Sequence, residues 1–454
     1  MRNVQWIRLY VLCFWEIPAA CTGKCLPGKF RASGLDICLN LQYNEPTNSF
    51  LFMPNDSSRE FYANTTSESG VSLIMYREQS ENGISANKKV LQGIPQNDVP
   101  LYPIKFRPLF KNYIWGGRNL ERLGKELPEG RVAESWEIST HPDGMGIIAN
   151  GPFQGHTLQE LIRAHPVAIV GTASYQAYGE HFPLLLKLID ANDWLSVQVH
   201  PDDRYAALHE RDTGKTEAWV VLEAEPDATI IHGLNRDISR EELKAYLQEG
   251  RLNQILKYRP VRKGDVVYIP AGTIHAAGRG LLLAEVQQNS NATYRLYDYD
   301  RKNPDGTSRP LHIEKALDAI DYGRVRQDGF VDGLKVCPEP GLCVEYLIAD
   351  PHFFIQRLTV TSEAACIADG RSFHALIILS GQGQLSWKGG TLPFRTGESI
   401  LIPAELGSYR IKGRVTILKA FIGEPYKDIM KPLLEAGYSL EAIQSKVAGI
   451  KPLA

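Results

Sequence analysis

Lys263-Gly264-Asp265-Val266-Val267-Tyr268-Ile269-Pro270-Ala271 returns 133 residues later as Thr396-Gly397-Glu398-Ser399-Ile400-Leu401-Ile402-Pro403-Ala404. Each copy enters through a Gly-acid turn, runs as a short apolar strand and leaves through Pro-Ala. Self-similarity at a fixed offset marks a duplicated unit. Other strand-like runs precede each copy, such as Ala375 to Leu379 followed by Ser380-Gly381-Gln382-Gly383 in the second. Two related β-barrels in tandem are the implied fold. The copies differ in chemistry, because at this offset His275 of the first falls on Ser408 of the second. The second barrel therefore reads as a degenerate, structural domain, and chemistry is sought between residues 180 and 300.

Outward from the repeat, short apolar or alternating runs punctuated by Gly, Pro and Asp extend over 101–425, the texture of an antiparallel sandwich or barrel. The chain is expected to be mainly β, with few helices. Thr157 to Ala164 and Ser239 to Leu256 read as helices, the second with Ser239 as N-cap and Glu242 at the capping-box position. A third spans about Tyr426 to Lys446. The implied organisation is a catalytic domain at 101–330 with a helical insertion, a second β domain at 331–426 and a helical tail at 427–454. Residues 1–100 are rich in Asn, Ser and Thr and read as a disordered extension without a core-forming period. Because the texture changes abruptly at Leu101, this segment reads as an extended reading frame upstream of the true start.

The 454 residues are 43% hydrophobic and 22% charged, with a formal net charge of −2. No basic excess is present to cover a nucleic-acid backbone or an anionic membrane, so a small-molecule partner is expected. Arg2 and Arg8 before Leu9 to Trp15 look like the start of a signal peptide, but Glu16 and Pro18 interrupt the apolar run. Elsewhere no stretch approaches the roughly 18 apolar residues that span a bilayer. Four of the seven cysteines fall within the first forty residues. Cys21 and Cys25 have no second pair at zinc-finger spacing, and reduced thiols in a reducing compartment are expected throughout. Asn291-Ala292-Thr293 is a glycosylation sequon inside the candidate site, where a glycan would obstruct access. The cytoplasm is the expected location.

In Leu195-Ser196-Val197-Gln198-Val199-His200, alternation puts Ser196, Gln198 and His200 on one face of a strand. Burying three such groups without partners costs about 1–3 kcal/mol each, so an interior placement calls for a metal or polar ligand. The pattern fits the solvent face of an edge strand equally well. Lys215-Thr216-Glu217-Ala218-Trp219 repeats the device, and Pro270-Ala271-Gly272-Thr273-Ile274-His275 places a histidine just past a strand end. Together Gln198, His200, Glu217 and His275 offer mixed N/O ligation without thiolate, which suits a catalytic Zn²⁺ with a position left for water or substrate. Lys187, inside the apolar run Leu184 to Ile189, joins Lys215 and Arg295 as a candidate contact for an anionic substrate. Glu285 and Gln287 share one face of the following strand.

At these residues the sequence resembles the type I phosphomannose isomerases, particularly the shorter bacterial form, over about residues 101–425. The shared motifs are Ile114-Trp-Gly-Gly-Arg118, Glu134-Ser-Trp-Glu137, Pro183-Leu-Leu-Leu-Lys187, Leu195-Ser-Val-Gln-Val-His-Pro-Asp202, Lys215-Thr-Glu-Ala-Trp219, Pro270-Ala-Gly-Thr-Ile-His-Ala276 and Tyr294-Arg-Leu-Tyr-Asp-Tyr-Asp-Arg301. The resemblance implies a cupin fold (tandem jelly-roll barrels) and one zinc per chain on Gln198, His200, Glu217 and His275. It also implies interconversion of mannose 6-phosphate and fructose 6-phosphate through a cis-enediol. Arg295 would be the active-site arginine, Lys215 a second catalytic group, and Lys187, Ser196, Trp115 and Glu285 would lie around the sugar phosphate. The family usually has Asp where this chain has Asn291, and Asn cannot accept a proton at neutral pH. A non-catalytic sugar-binding cupin and an iron-dependent cupin oxygenase are the competing functions. The sequence leaves the proton-transfer base and the oligomeric state open.

Overall fold

The computed structural model describes residues 99–303, 305–323 and 328–450 with their side chains, and the backbone of five strands between residues 26 and 73. The chain divides into two compact units, Met1–Asn87 and Lys88–Ala454, so the break falls earlier than the expected residue 100. In the first unit β1 (Leu26–Ala32), β2 (Leu35–Asn44), β3 (Ser49–Met53), β4 (Phe61–Thr65) and β5 (Val71–Leu73) form an antiparallel meander in chain order. These strands fall within the segment that the sequence reads as an extension without a core-forming period. Leu35, Ile37, Leu39, Leu41 and Tyr43 alternate with other residues over the whole of β2, a period of two that favours a strand. The signal-like opening and Cys13, Cys21 and Cys25 lie outside the described residues.

The second unit begins with β6 (Ile104–Arg107), β7 (Leu109–Lys111), β8 (Glu134–Ile138) and β9 (Ile147–Ile148). After a helical insertion come β10 (Leu184–Ala191), β11 (Val197–Val199), β12 (Glu217–Ala224), β13 (Thr229–Leu234), β14 (Leu256–Pro260), β15 (Val266–Ile269), β16 (His275–Ala277), β17 (Leu281–Gln288) and β18 (Tyr294–Tyr297). They make two antiparallel sheets, β15-β12-β17-β10-β8-β7 and β14-β13-β16-β11-β18. Ile189, Trp219 and Leu283 of the first sheet pack with Ile230 and Ala277 of the second. Fully burying each of the larger side chains contributes about 1.5–3 kcal/mol.

The chain continues through β19 (Leu334–Glu339), β20 (Leu342–Asp350), β21 (Phe353–Val360), β22 (Glu363–Ala368), β23 (His374–Trp387), β24 (Gly390–Arg395), β25 (Ser399–Ile402) and β26 (Gly407–Phe421). Their sheet runs β19-β20-β21-β26-β23-β25-β6-β9, with β22 on β26 and β24 on β23. Strand for strand, β19-β20-β21-β26-β23-β25 repeats the order β7-β8-β10-β17-β12-β15 of the first barrel. The repeated motif occupies the same place in both, since β15 and β25 are offset by the same 133 residues. Because β6 pairs with β25 through Lys105↔Ile400 and Ile104↔Leu401, the two barrels are tied together by the unit's own first strand. Leu186 and Val286 of the first barrel share a core with Phe353, Phe373 and Leu418 of the second.

Gly264 and Gly397, which open the two copies, both have left-handed backbone (φ +95° and +82°). An added Cβ meets open space at Gly264 but lies 2.1 Å from the Leu123 carbonyl oxygen at Gly397. Alanine at either carries left-handed strain of about 1–2 kcal/mol. Gly397→Ala is therefore expected to lose more stability than Gly264→Ala in chemical denaturation, and equal losses would contradict the close approach.

Helical expectations were met at Leu158–Ala164, which starts on a Thr157–Glu160 capping box. The helix expected to reach Leu256 has its predicted Ser239–Glu242 capping box but ends at Gln248. Gly250 takes left-handed backbone (φ +66°) and Leu256 opens β14. The tail is likewise broken into Tyr426–Met430, Lys431–Glu435 and Leu440–Lys446, with left-handed Gly437 (φ +90°) as the break. Ile429, Leu433 and Ile443 bury these pieces against the second barrel's core. The expectation of reduced thiols fails at Cys337 and Cys343, which are disulfide-bonded. They lie opposite each other in the β19–β20 hairpin, one step beyond the Val336↔Val344 pair. No helix among the described residues is long and apolar enough to cross a membrane.

Candidate active site

β11 is an interior strand between β16 and β18, so the solvent-edge alternative for its polar face is excluded. Gln198 pairs with His275 on one side and with Arg295 on the other, which lines up a ligand candidate and a cation across three strands. His200 follows directly after β11. Glu217 opens β12 in the facing sheet, and Lys187 of β10 and Trp219 of β12 both pair with Glu285 of β17. Strand phase thus turns these side chains into the space between the sheets.

His200, Glu217 and His275 are buried, and one ligand atom from each lies within 4.8 Å of the others. The Nδ1 atoms of His200 and His275 contact the carbonyl oxygens of Ala292 (2.8 Å) and Thr273 (2.9 Å). A carbonyl only accepts, so each Nδ1 carries the proton and each Nε2 presents a lone pair when the ring is neutral. Burial holds His200 neutral, lowering its pKa to about 3 with help from Lys215. Those Nε2 atoms face the Glu217 carboxylate at 3.3 and 3.2 Å. Three electron-pair donors converging in a buried space call for a cation. Lys215 supplies one positive charge from the side, hydrogen-bonded to His200 Nε2 and ion-paired with Glu217 Oε2, both at 3.0 Å. Burial pushes the Glu217 carboxyl up, but Lys215 and His200 outweigh it and hold it well below the ordinary range. The Gln198 amide nitrogen is 3.3 Å from His275 Nε2, and its oxygen accepts from Ser196 Oγ at 3.1 Å.

Above the cluster opens a cavity of about 350 Å³ lined by Trp115, Lys187, Ser196, Gln198, Lys215, Glu285 and Arg295. Every site residue expected from the sequence is therefore either in this cavity or in the cluster beneath it. Lys187 reaches Glu285 Oε1 at 3.1 Å and Glu134 Oε2 at 3.8 Å. Burial would lower its pKa, but the two carboxylates prevail and raise it. Burial raises the Glu285 carboxyl against the pull of Lys187, and Trp219 Nε1 donates to its Oε2 at 2.9 Å. Lys187→Met leaves both carboxylates without their buried cation and is expected to cost about 3–5 kcal/mol of stability. Thermal and urea melts check this, and an unchanged melt would show that the pair is dispensable.

The sequence reading missed Tyr113, Glu210, Arg309, His312 and Lys315, which also line the cavity. Arg309 and His312 sit in irregular segments and Lys315 on the short helix Ile313–Ala319. No periodicity points them inward. A partial signal existed in Asp298, whose carboxylate pairs with both Arg301 and Arg309. Arg295 stands close enough to Arg309 that burial and this second cation together lower its pKa. Asn291 lies at the rim, its amide donating to Asp143 Oδ2 at 2.8 Å and its backbone N–H to Asp212 Oδ2 at 3.2 Å. Carboxylates are thus adjacent to the position where the family usually has Asp.

Comparison with known proteins agrees with this geometry. Residues 104–217 match the model of the phosphomannose isomerase type I catalytic domain, and 344–422 that of the mannose-6-phosphate isomerase cupin domain. The chain is 36% identical to the Bacillus subtilis mannose-6-phosphate isomerase ManA over 312 residues, 68% of this chain and 96% of that protein. A crystal structure of the mannose 6-phosphate isomerase from Bacillus subtilis superposes with a TM-score of 0.65 at 36% identity, covering 70% of this chain and 99% of that one. A mannose 6-phosphate isomerase crystallised with zinc and yttrium shares the fold at TM-score 0.55 and 18% identity, over 71% of this chain and all of that one. With matching sequence, matching fold and a convergent site, the chain belongs to the type I phosphomannose isomerase family.

Proposed function

We propose that this chain interconverts mannose 6-phosphate and fructose 6-phosphate through a cis-enediol, using one Zn²⁺ held by Gln198, His200, Glu217 and His275. The observation that carries the reading is the convergence of two imidazole lone pairs and a buried carboxylate within 4.8 Å beneath a cation-lined cavity. The ligand set is neutral-nitrogen and oxygen only, as suits zinc with an open position. Zinc there supplies Lewis-acid stabilisation of charge developing on the substrate oxygens.

The chain's own groups account for binding and orientation. Arg295, in register with Gln198, is a fixed cation beside the ligands, suited to the oxyanion of the enediol. Arg309 shares the single carboxylate of Asp298 with Arg301 and so leaves net positive charge at the same cavity, beside the Lys315–Glu210 pair, which favours a sugar phosphate over a neutral sugar. Lys187, Glu285 and Trp219 form a tied set against which the sugar hydroxyls can be positioned. Lys215 contacts the same His200 and Glu217 atoms that would hold a metal and also lines the cavity, so its ammonium stands between the ligands and the substrate.

The test is a coupled isomerase assay on mannose 6-phosphate before and after chelation. Removing metal with EDTA is expected to abolish turnover, and Zn²⁺ to restore it. Stoichiometric zinc with sugar-phosphate binding but no isomerisation would replace this reading by a non-catalytic sugar-binding protein. Iron with oxygen uptake would replace it by a cupin oxygenase.

A further inference from the structure

The register of the second barrel contradicts the idea that it is only a packing domain. His374, the first residue of β23, pairs with Ile402, as Glu217, the first residue of β12, pairs with Ile269. The two partners are 133 residues apart, so His374 occupies the position of Glu217. Two residues further on, Leu376 pairs with Lys419 as Trp219 pairs with Glu285. Across β21, Gln356 pairs with the same Lys419, as Lys187 pairs with Glu285. His374, Lys419 and Gln356 therefore hold the three register positions that Glu217, Glu285 and Lys187 hold in the first barrel. All three line a separate cavity of about 300 Å³.

The chemistry of this cavity is changed rather than lost. His374 Nδ1 and Tyr409 Oη are hydrogen-bonded at 2.9 Å, and burial holds the imidazole neutral. Lys419 is partly buried, its ammonium 4.6 Å over the Phe421 ring, and it makes no ion pair among the described residues. Burial lowers its pKa, and the opposing pull of Cys366, Asp428 and Asp369 does not fully offset this. Arg371 at the same cavity is already taken, by Asp369 at 2.8 Å and Asp428 at 2.9 Å. Leu342, Val344, Leu358 and Phe421 make an apolar wall.

A single ammonium that makes no ion pair among the described residues, beside an apolar wall, selects for a singly charged ligand. A doubly charged phosphate would meet one ammonium and the excess negative charge of Asp369 and Asp428 around Arg371. We propose that the second barrel binds a small monocarboxylate with an apolar body, the carboxylate held by Lys419 and Gln356 beside His374 and Tyr409. The site is independent of the isomerase centre in the first barrel.

Isothermal titration of benzoate into the full chain, purified with zinc present, tests this. Saturable binding is expected in the wild type and in Arg295→Ala, and Lys419→Met is expected to weaken it about tenfold or more, as for loss of a charged hydrogen bond. Isomerase turnover of Lys419→Met is expected to match the wild type. If circular dichroism shows that Lys419→Met is unfolded, Gln356→Leu is read by the same criterion. Absence of saturable binding, equal binding in the folded variant, or loss of binding in Arg295→Ala overturns the proposal. Tighter binding of inorganic phosphate than of benzoate overturns the choice of a monocarboxylate.

Discussion

Glu217→Gln is expected to abolish zinc retention and isomerisation together. Gln keeps the volume and one acceptor oxygen but removes the charge that faces both imidazole lone pairs. Glu217 is fully buried, so no water can make up the loss, and neutral Gln leaves the Lys215 ammonium without its carboxylate. Removing one partner from a buried charged set costs about 3–5 kcal/mol, which corresponds to about 10²- to 10⁴-fold weaker metal binding. Zinc content after dialysis against a chelator and the isomerase rate at fixed protein concentration measure the two effects. A circular dichroism melt separates them from unfolding. A folded variant that retains stoichiometric zinc and wild-type turnover would remove Glu217 from the site.

The convergence of Gln198, His200, Glu217 and His275 was legible because strand phase is a strong constraint. Once Leu195 to His200 is a strand, Gln198 and His200 must share a face. The one open question, interior or solvent edge, is answered by the position of β11 between β16 and β18. The repeat was equally legible, down to the matching span of β15 and β25, because a Gly-acid turn and a Pro-Ala exit fix both ends of a short strand. Arg309, His312 and Lys315 were not legible, since loop connectivity rather than periodicity brings them to the cavity. Helix ends were overextended at Leu256 and across Gly437 for a related reason. An apolar residue on the helical face continued the pattern past a glycine whose left-handed backbone stops the helix.

The second barrel shows a limit of reading chemistry from one aligned residue. Ser408 in place of His275 does remove one donor of the His200, Glu217 and His275 cluster. Function, however, depends on which side chains share the interior register, and that pairing between distant strands is invisible until β21, β23 and β26 are aligned in space. There the exchange of Glu217 for His374 and of Glu285 for Lys419 replaces two buried carboxylates by a neutral ring and an ammonium. The interior changes from cation-seeking to anion-seeking without any change of sheet order.

Arg295→Ala should separate metal binding from chemistry, since zinc content is expected to stay at the wild-type level while kcat falls about 10²- to 10³-fold, the effect of removing one preorganised donor to a developing oxyanion. The side chain is partly buried, and its Nε has no hydrogen-bond partner, so its charge is not committed to holding the fold. Arg309 lies near enough to lower its pKa, which makes an approaching anion more favourable still. The guanidinium stays protonated at any working pH, and its contribution should therefore be independent of pH. Arg295→Lys keeps the charge but loses the planar fork and is expected to recover only part of the rate. Loss of zinc in Arg295→Ala would make it a support for the ligands through its pairing with Gln198, and unchanged kcat would exclude it from the reaction. A rise in KM with kcat unchanged would assign it to phosphate binding, a role that Arg309 and Lys315 are placed to share, so Arg309→Ala in parallel distinguishes the two: its effect is expected on KM, and that of Arg295→Ala on kcat.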